Sequence, residues 1–339
     1  MHLLHRRYGV VLVEAEGDNG QSPTGRRLII QIPCFNEEET LPLTLADLPR
    51  QVPGFDIVEW LVIDDGSADR TSQVARDLGV DHVVRHQRNR GLAAAFLTGL
   101  DTALRAGADV IVNTDADNQY DASGIAALVA PVLDGSADMV VGERPIELIP
   151  EFSGVKKRLQ RLGSRVVRLF SGTEIADAAS GFRAFSRDTA MRMQVFGRYS
   201  YTLETLVQAG VEGLAVASVP IGVNPQTRES RLVKSTLRYV LRSASTIVRS
   251  FVLYRPFRFF FVIGLIPFLV GLALVVRWVL FWWLADEYRS RIPSLVAAAG
   301  FLLVAVQLWM VAFLADLQAA SRRMQSEARL RARRIELDR

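Results

Sequence analysis

Cysteine is nearly absent from this chain: Cys34 stands alone among 339 residues, so no intrachain disulfide can form and a reducing compartment suits it. Histidine is scarce as well. The four present, His2, His5, His82 and His86, have no zinc-site spacing. No signal peptide is legible at the start, because Glu14 and Glu16 interrupt the short apolar piece Val10 to Val13. Arginines interleaved with aromatics on a soluble face are also missing. A formal net charge of +4 and a pI of about 9.4 therefore do not imply a nucleic-acid partner. The basic residues cluster beside apolar segments, which points to anionic lipid headgroups.

Apolar residues are abundant, at 50% with a mean hydropathy of +0.18, and the excess falls between Phe257 and Leu317. A soluble part followed by a membrane part is the simplest division. Residues 1–25 read as a flexible leader and 26–231 as one α/β domain. Within it the pattern predicts strands at Leu28–Pro33, Val58–Ile63, His82–Arg85, along Val110 onward, and Asp138–Gly142. Between them it predicts a helix opening on Asn36-Glu37-Glu38-Glu39, then helices at about 69–78, 92–105 and 122–133. Such alternation builds βαβ units with right-handed crossovers, hence a mostly parallel sheet covered on both faces.

Val233 to Phe251 carries an apolar stripe opposite Lys234, Arg238, Arg242 and Arg249, the pattern of an amphipathic helix in a membrane interface; it falls in a juxtamembrane segment, 232–256. A hairpin, 257–319, then supplies two spans, Phe259–Leu284 and Pro293–Leu314. Each is long enough to cross a bilayer core at ~1.5 Å per residue. Arg277 sits near the end of the first, among Trp278, Trp282 and Trp283, where it can snorkel to the interface. Arg255 and Arg258 before the hairpin, and Arg322, Arg323, Arg329, Arg331, Arg333 and Arg334 in the tail 320–339, mark the flanking side as cytoplasmic. The expectation is a multi-pass protein of the plasma (inner) membrane with the α/β domain and both termini in the cytoplasm.

The stretch Val110 to Tyr120, VIVNTDADNQY, is an apolar strand that ends on Asp115-Ala116-Asp117. Carboxylates at the carboxyl end of a buried strand lie where open α/β sheets bind ligands. A pair of them suits Mg²⁺ or Mn²⁺, which take one or two carboxylates and complete their shell with water and substrate phosphate. Helix capping is the plainer use of the same two acids.

With Ile32-Pro33-Cys34-Phe35-Asn36-Glu37, Asp64-Asp65-Gly66-Ser67-Ala68-Asp69, Asn89-Arg90-Gly91, Asp115-Ala116-Asp117-Asn118-Gln119 and Ser180-Gly181-Phe182-Arg183 in order, the chain resembles the inverting family-2 glycosyltransferases. More narrowly it resembles the polyprenyl-phosphate glycosyltransferases, the dolichol-phosphate mannose synthase-like group. That resemblance implies a GT-A fold, Rossmann-like with a mostly parallel sheet, joined to the interfacial helix and two transmembrane helices. It further implies a nucleotide-sugar pocket lined by Pro33, Asn36, Glu37, Asp64, Asp65, Asp115 and Ala116. Metal ligation passes to Asp115, Asp117 and Gln119, and catalytic roles to Asp117, Asp177 and Arg144.

A lipid-phosphate acceptor brings its own nucleophilic oxygen, so the site needs cationic clamps more than a strong base. Arg144, Arg161, Arg228 and Arg231 are the candidates, with Ser164 as hydroxyl donor. Glu204 has two readings, a sugar contact or a partner for a basic neighbour. The expected partners are a nucleotide-sugar donor, a polyprenyl phosphate, the membrane, further copies of the chain in a homo-oligomer, and a separate flippase for the product. A processive polysaccharide synthase or an inactive GT-A-fold scaffold are the rivals. The first would carry Gln-x-x-Arg-Trp, whereas Leu274-Val275-Val276-Arg277-Trp278 lacks the Gln and lies in a span.

Overall fold

The computed structural model describes residues 10–13, 25–145, 175–197, 201–225, 245, 248–249, 252, 256–284 and 292–337. Two units are present: Met1–Ile247 with Arg333–Arg339, and Val248–Ala332.

The first unit is built on eight strands: β1 (Val10–Val13), β2 (Arg27–Cys34), β3 (Ile57–Asp64), β4 (His82–His86), β5 (Val110–Asn113), β6 (Met139–Glu143), β7 (Arg183–Ser186) and β8 (Val216–Pro220). Their order across the sheet is β1-β4-β3-β2-β5-β7-β6-β8. Strands β4, β3, β2 and β5 run parallel, β7 is antiparallel to both β5 and β6, and β8 is parallel to β6. The chain moves outward from β2 to β4 and then returns to the other side of β2 as β5. Strand order thus reverses between β2 and β5, and that reversal opens a crevice at their carboxyl ends.

Side chains of β2 alternate between two cores: Leu28, Ile30, Ile32 and Cys34 enter one, Ile29 the other. A strand covered on both faces needs an unbroken apolar run, which is what LIIQIP nearly supplies. Helices α1 (Leu41–Asp47), α2 (Thr71–Asp77) and α4 (Ile125–Leu133) cover the first core. Helices α3 (Leu92–Arg105), α5 (Arg187–Arg192) and α6 (Thr202–Glu212) cover the second.

Two expectations are corrected. The first helix begins at Leu41 and not on the acids at 36–39, because Asn36 is held left-handed at φ 56° while Ser67, Thr71 and Asp69 take the amides of Asn36, Glu37 and Glu38. Val10–Val13, expected within a flexible leader, instead pairs antiparallel with β4 as an edge strand. Its β-branched residues suit that place.

Helices α7 (Pro256–Leu284) and α8 (Ile292–Leu337) are both long and apolar enough to cross a membrane. In the second unit they approach closely through small residues. A Cβ on Gly264 would lie 2.7 Å from Trp309, and one on Gly271 2.9 Å from Leu302. Ala298, Ala305 and Ala312 recur every seven residues on the buried face of α8. Small residues allow the backbone approach that drives helix association in lipid. The tail expected from residue 320 is a continuation of α8, and its last residues belong to the first unit. There Arg333 meets Asp101 at 2.6 Å, Arg334 pairs with Asp188, and Glu336 accepts from Arg105 at 2.8 Å.

Close packing of α3 on β2 yields a stability prediction. A Cβ on Gly99 would lie 2.4 Å from Gln31 Oε1 and 2.8 Å from Ile63. Overfilling of this kind costs about 1–3 kcal/mol, so Gly99→Ala should lower the unfolding free energy by that amount in a denaturant titration, despite alanine's better helix propensity.

Candidate active site

The end of β5 is fixed from below by a buried polar network. Asn113 donates through Nδ2 to the Gly181 carbonyl at 2.9 Å and the Tyr201 hydroxyl at 2.8 Å, and its Oδ1 accepts from Gln31 Nε2 at 2.8 Å. The next turn carries the acids. Ala116 is buried and its carbonyl accepts from Thr44 at 3.0 Å; Asp117 accepts from the Gln119 amide at 3.3 Å. Asn118 adopts a left-handed φ of 54° and donates to Asp47 at 2.8 Å, which sets the bend of this turn.

Tyr120 then folds back beneath the turn. Its ring stacks on Phe182 at 5.1 Å, its oxygen accepts from the Gly181 amide at 2.9 Å, and its hydroxyl hydrogen-bonds Asp115. Burial and the negative charge of Asp115 both push the Tyr120 phenol above its ordinary range, so it stays protonated and serves as a donor.

Asp115 itself is pushed up to about 7, first by burial and then by repulsion from Asp117, with Arg144 and the Tyr120 hydroxyl pulling the other way. Arg144 grips Asp177 with a two-pronged contact, Nε to Oδ2 at 2.7 Å and Nη2 to Oδ1 at 3.1 Å. Asp177 is fully buried, and the fork gives both of its carboxylate oxygens a hydrogen-bond partner. The same carboxylates hold the Arg144 guanidinium firmly charged, its affinity for the proton raised by Asp177 and by Asp115 against the opposing effect of burial.

A divalent cation fits this arrangement. Two crowded carboxylates, one with a raised pKa, are relieved by positive charge placed between them. Among the described residues no group of three or more Asp, Glu, His or Cys side chains gathers around a metal position. The set suits an ion that completes its shell with water and phosphate oxygens, and does not suit an all-protein cage.

The residues expected at the nucleoside lie along the neighbouring strand ends. Pro33 is the penultimate residue of β2, with Asn36 and Glu37 just beyond. Asp64 and Asp65, at the end of β3, are buried and turned inward. Asp64 accepts from the Ser67 amide at 2.7 Å and pairs with the Ser72 hydroxyl; Asp65 meets His86 at 2.6 Å and accepts from the Arg90 and Gly91 amides at 2.9 and 2.7 Å. The amino end of α3, where many α/β proteins seat a phosphate, is thus filled by the chain's own carboxylate.

Arg161, Ser164, Arg228 and Arg231 lie outside the described residues, as does most of the amphipathic segment 233–251. Glu204 accepts from the amides of Phe196 and Gly197 at 2.8 and 3.2 Å, partners that the sequence did not suggest. Arg183 is fully buried, and donates to the carbonyls of Ser180, Thr202 and Ala178 and to the Thr205 hydroxyl. Burial lowers it to about 10. It organises the loop that bears Asp177. The part played by Tyr120, Asn113, Tyr201 and Arg183 was hidden in the sequence; a polar residue at an otherwise apolar strand end, as at Asn113, was the available signal.

A crevice at a strand-order reversal, with a carboxylate pair suited to a cation and an arginine-held acid beside it, marks the end of β5 as the candidate site. Residues 29–193 match the model of the family described as glycosyl transferase family 2. Polyprenol monophosphomannose synthase of Mycolicibacterium smegmatis is 31% identical over 210 residues, 59% of this chain and 77% of that protein. The UDP-N-acetylglucosamine–dolichyl-phosphate N-acetylglucosaminyltransferase of Methanococcus voltae is 31% identical over 212 residues, 56% of this chain and 82% of that one. The fold is similar to that of glucosyl-3-phosphoglycerate synthase from Mycobacterium tuberculosis, crystallised with Mn²⁺, UDP and glucosyl-3-phosphoglycerate. That match has a TM-score of 0.54 at 19% identity, and covers 71% of this chain and 87% of that one. The chain belongs to glycosyltransferase family 2, and it is a glycosyltransferase with the GT-A fold.

The raised pKa of Asp115 has a measurable consequence. In the folded chain this carboxyl keeps its proton up to about pH 7, whereas an unfolded Asp releases it near ~3.9. The folded state binds the extra proton in that window, so metal-free stability falls as pH rises through it. Denaturant titrations between these limits should show the decline, and Asp115→Asn should flatten it; equal slopes in variant and wild type would contradict the assignment.

Proposed function

We propose that this glycosyltransferase moves a single sugar from a nucleotide-diphosphate sugar to a polyprenyl phosphate, with inversion, at the cytoplasmic face of the membrane. The observation that carries the reading is the crowded pair Asp115 and Asp117 at the end of β5, with no third Asp, Glu, His or Cys gathered to it among the described residues. Such a pair leaves coordination positions for a donor diphosphate. A bound Mg²⁺ or Mn²⁺ supplies charge stabilisation for the departing nucleoside diphosphate. The solved glucosyl-3-phosphoglycerate synthase complex with Mn²⁺ and UDP supports this choice, as do relatives named for polyprenyl-linked acceptors.

The chain's own residues do the positioning. Arg144, held by Asp177, places a fixed positive charge beside Asp115, where two anionic substrates have to approach each other. The acceptor phosphate oxygen forms the new bond to the anomeric carbon as the donor's carbon–oxygen bond breaks, from the opposite face. Because that oxygen is already anionic, no strong general base is needed. Asp177, bound in the Arg144 fork, orients the sugar or the acceptor. Arg161, Ser164, Arg228 and Arg231 are assigned to the acceptor phosphate, Gln119 to the metal, and Pro33, Asn36 and Glu37 to the nucleoside.

Chain connectivity supports the membrane assignment. The chain leaves the first unit at Ile247, passes through two apolar helices and re-enters that unit at Arg333. An even number of spans returns a chain to the side it left, and the flanking arginines favour the cytoplasm. A two-helix hairpin is too small to enclose a translocation pore, so a separate flippase carries the product across, and apolar outer faces on the spans suit self-association.

The test is a donor screen with purified protein in detergent, undecaprenyl phosphate, Mg²⁺ or Mn²⁺ and labelled nucleotide sugars, scored by label entering the organic phase. One donor should give a chelator-sensitive lipid product, and Asp117→Ala, folded and membrane-inserted, should reduce the rate by about 100-fold or more. A variant as active as wild type would remove the basis for the carboxylate-pair mechanism.

A further inference from the structure

We propose that His86 is a positioning residue of the donor pocket, acting through Asp65 on the loop at Asn89–Gly91 and on Asn36. The inference rests on the donor reading given above. His86 closes β4, is fully buried, and takes no part in the transfer chemistry. Both ring nitrogens are engaged: Nδ1 lies 2.6 Å from Asp65 Oδ1 and Nε2 3.0 Å from the Thr98 hydroxyl on α3. A buried polar pair of this kind gives little net stability over an apolar pair of equal volume. What it supplies here is geometry.

The network can be followed outward from the ring. Asp65 spends its remaining acceptor capacity on the amides of Arg90 and Gly91, which ties the end of β3 to the loop after β4. Gly66, at φ 76°, lets the two loops touch: a Cβ there would lie 2.5 Å from the Arg88 carbonyl carbon. Ser67 follows, its amide bound to Asp64, and its hydroxyl accepts from the Asn36 amide at 2.9 Å. Ala68 donates to Asn36 Oδ1 at 2.8 Å, which helps hold Asn36 in its left-handed conformation. One chain of contacts thus links Thr98 to Asn36 across the carboxyl ends of β4, β3 and β2. Displacing the imidazole leaves Asp65 on the Arg90 and Gly91 amides alone, and the pocket wall loses its tie to Thr98 on α3.

Three variants of the intact protein separate this role from simple packing. Asn places an amide near the position of Nδ1 and so keeps the Asp65 contact, whereas Gln reaches the position of Nε2 and keeps Thr98. Calorimetric titration with UDP and with GDP, each with MnCl₂, should find one that binds wild type. His86→Leu should weaken that binding by about 10-fold or more, the effect of taking the side-chain donor from a buried carboxylate that then keeps only backbone amides. His86→Asn should recover most of the affinity and His86→Gln little of it, with melting temperatures of the last two alike and the acceptor KM unchanged in all three. Wild-type affinity in His86→Leu, or equal losses in the Asn and Gln variants that follow their melting temperatures, would overturn the positioning role alone. Failure of wild type to bind either nucleotide would overturn the donor reading, and this inference with it.

Discussion

Two carboxylates one residue apart, at the end of a strand with no exposed face, resist being charged together. Burial disfavours the anion at Asp115, the neighbouring Asp117 disfavours it further, and the surroundings of Asp115 record the compensation. Arg144 brings positive charge, Tyr120 brings a hydroxyl kept protonated by the same burial, and Asp177 keeps Arg144 in place. A divalent cation held there would complete that compensation. Sheet topology puts the problem at the β2–β5 reversal, where a ligand can reach it.

The carboxyl ends of the parallel strands are tied together by buried polar groups, although the sheet itself is held by apolar packing. Gln31, Asn113 and Tyr201 fix the end of β5 from the second core. Arg183 gathers three carbonyls under the loop that carries Asp177. Asp65 fills the amino end of α3. Hydrogen bonds of this kind contribute modest net stability but strongly penalise any arrangement that leaves a buried donor or acceptor alone. They make a site of fixed shape out of loops that apolar contacts alone would leave loosely specified.

The two long apolar helices pose a different problem. Helices that cross a membrane gain nothing hydrophobic by pairing in lipid, so contact between them has to come from close approach. Gly264 and Gly271 on α7, and the alanines at 298, 305 and 312 on α8, provide it, and Trp309 spans the gap by donating to the Phe261 carbonyl at 3.2 Å.

Local pattern by itself determined the alternating strands and helices, the parallel core of the sheet, the two long apolar helices and the placing of Asp115 and Asp117 at a strand end. Each follows from periodicity or from the type of residue that ends a run, and those signals are short in range. The sequence misled where a distant partner overrode a local preference. Acids at 36–39 look like a helix start, yet donors and acceptors near position 67 bend Asn36 the other way. Val10–Val13 looks like part of a leader until β4 offers it an edge. Only the tertiary structure decided that Arg144 faces Asp177, that Tyr120 lies under Asp115, that Glu204 serves backbone amides and that His86 grips Asp65. Those pairs lie 33, 5, 8 or less, and 21 residues apart, and two of the four, Arg144 with Asp177 and His86 with Asp65, depend on how loops from different strands meet. The hydrogen bonds that fix the pairs have no periodic trace in the chain, and those two exist only once the sheet has brought the strand ends together.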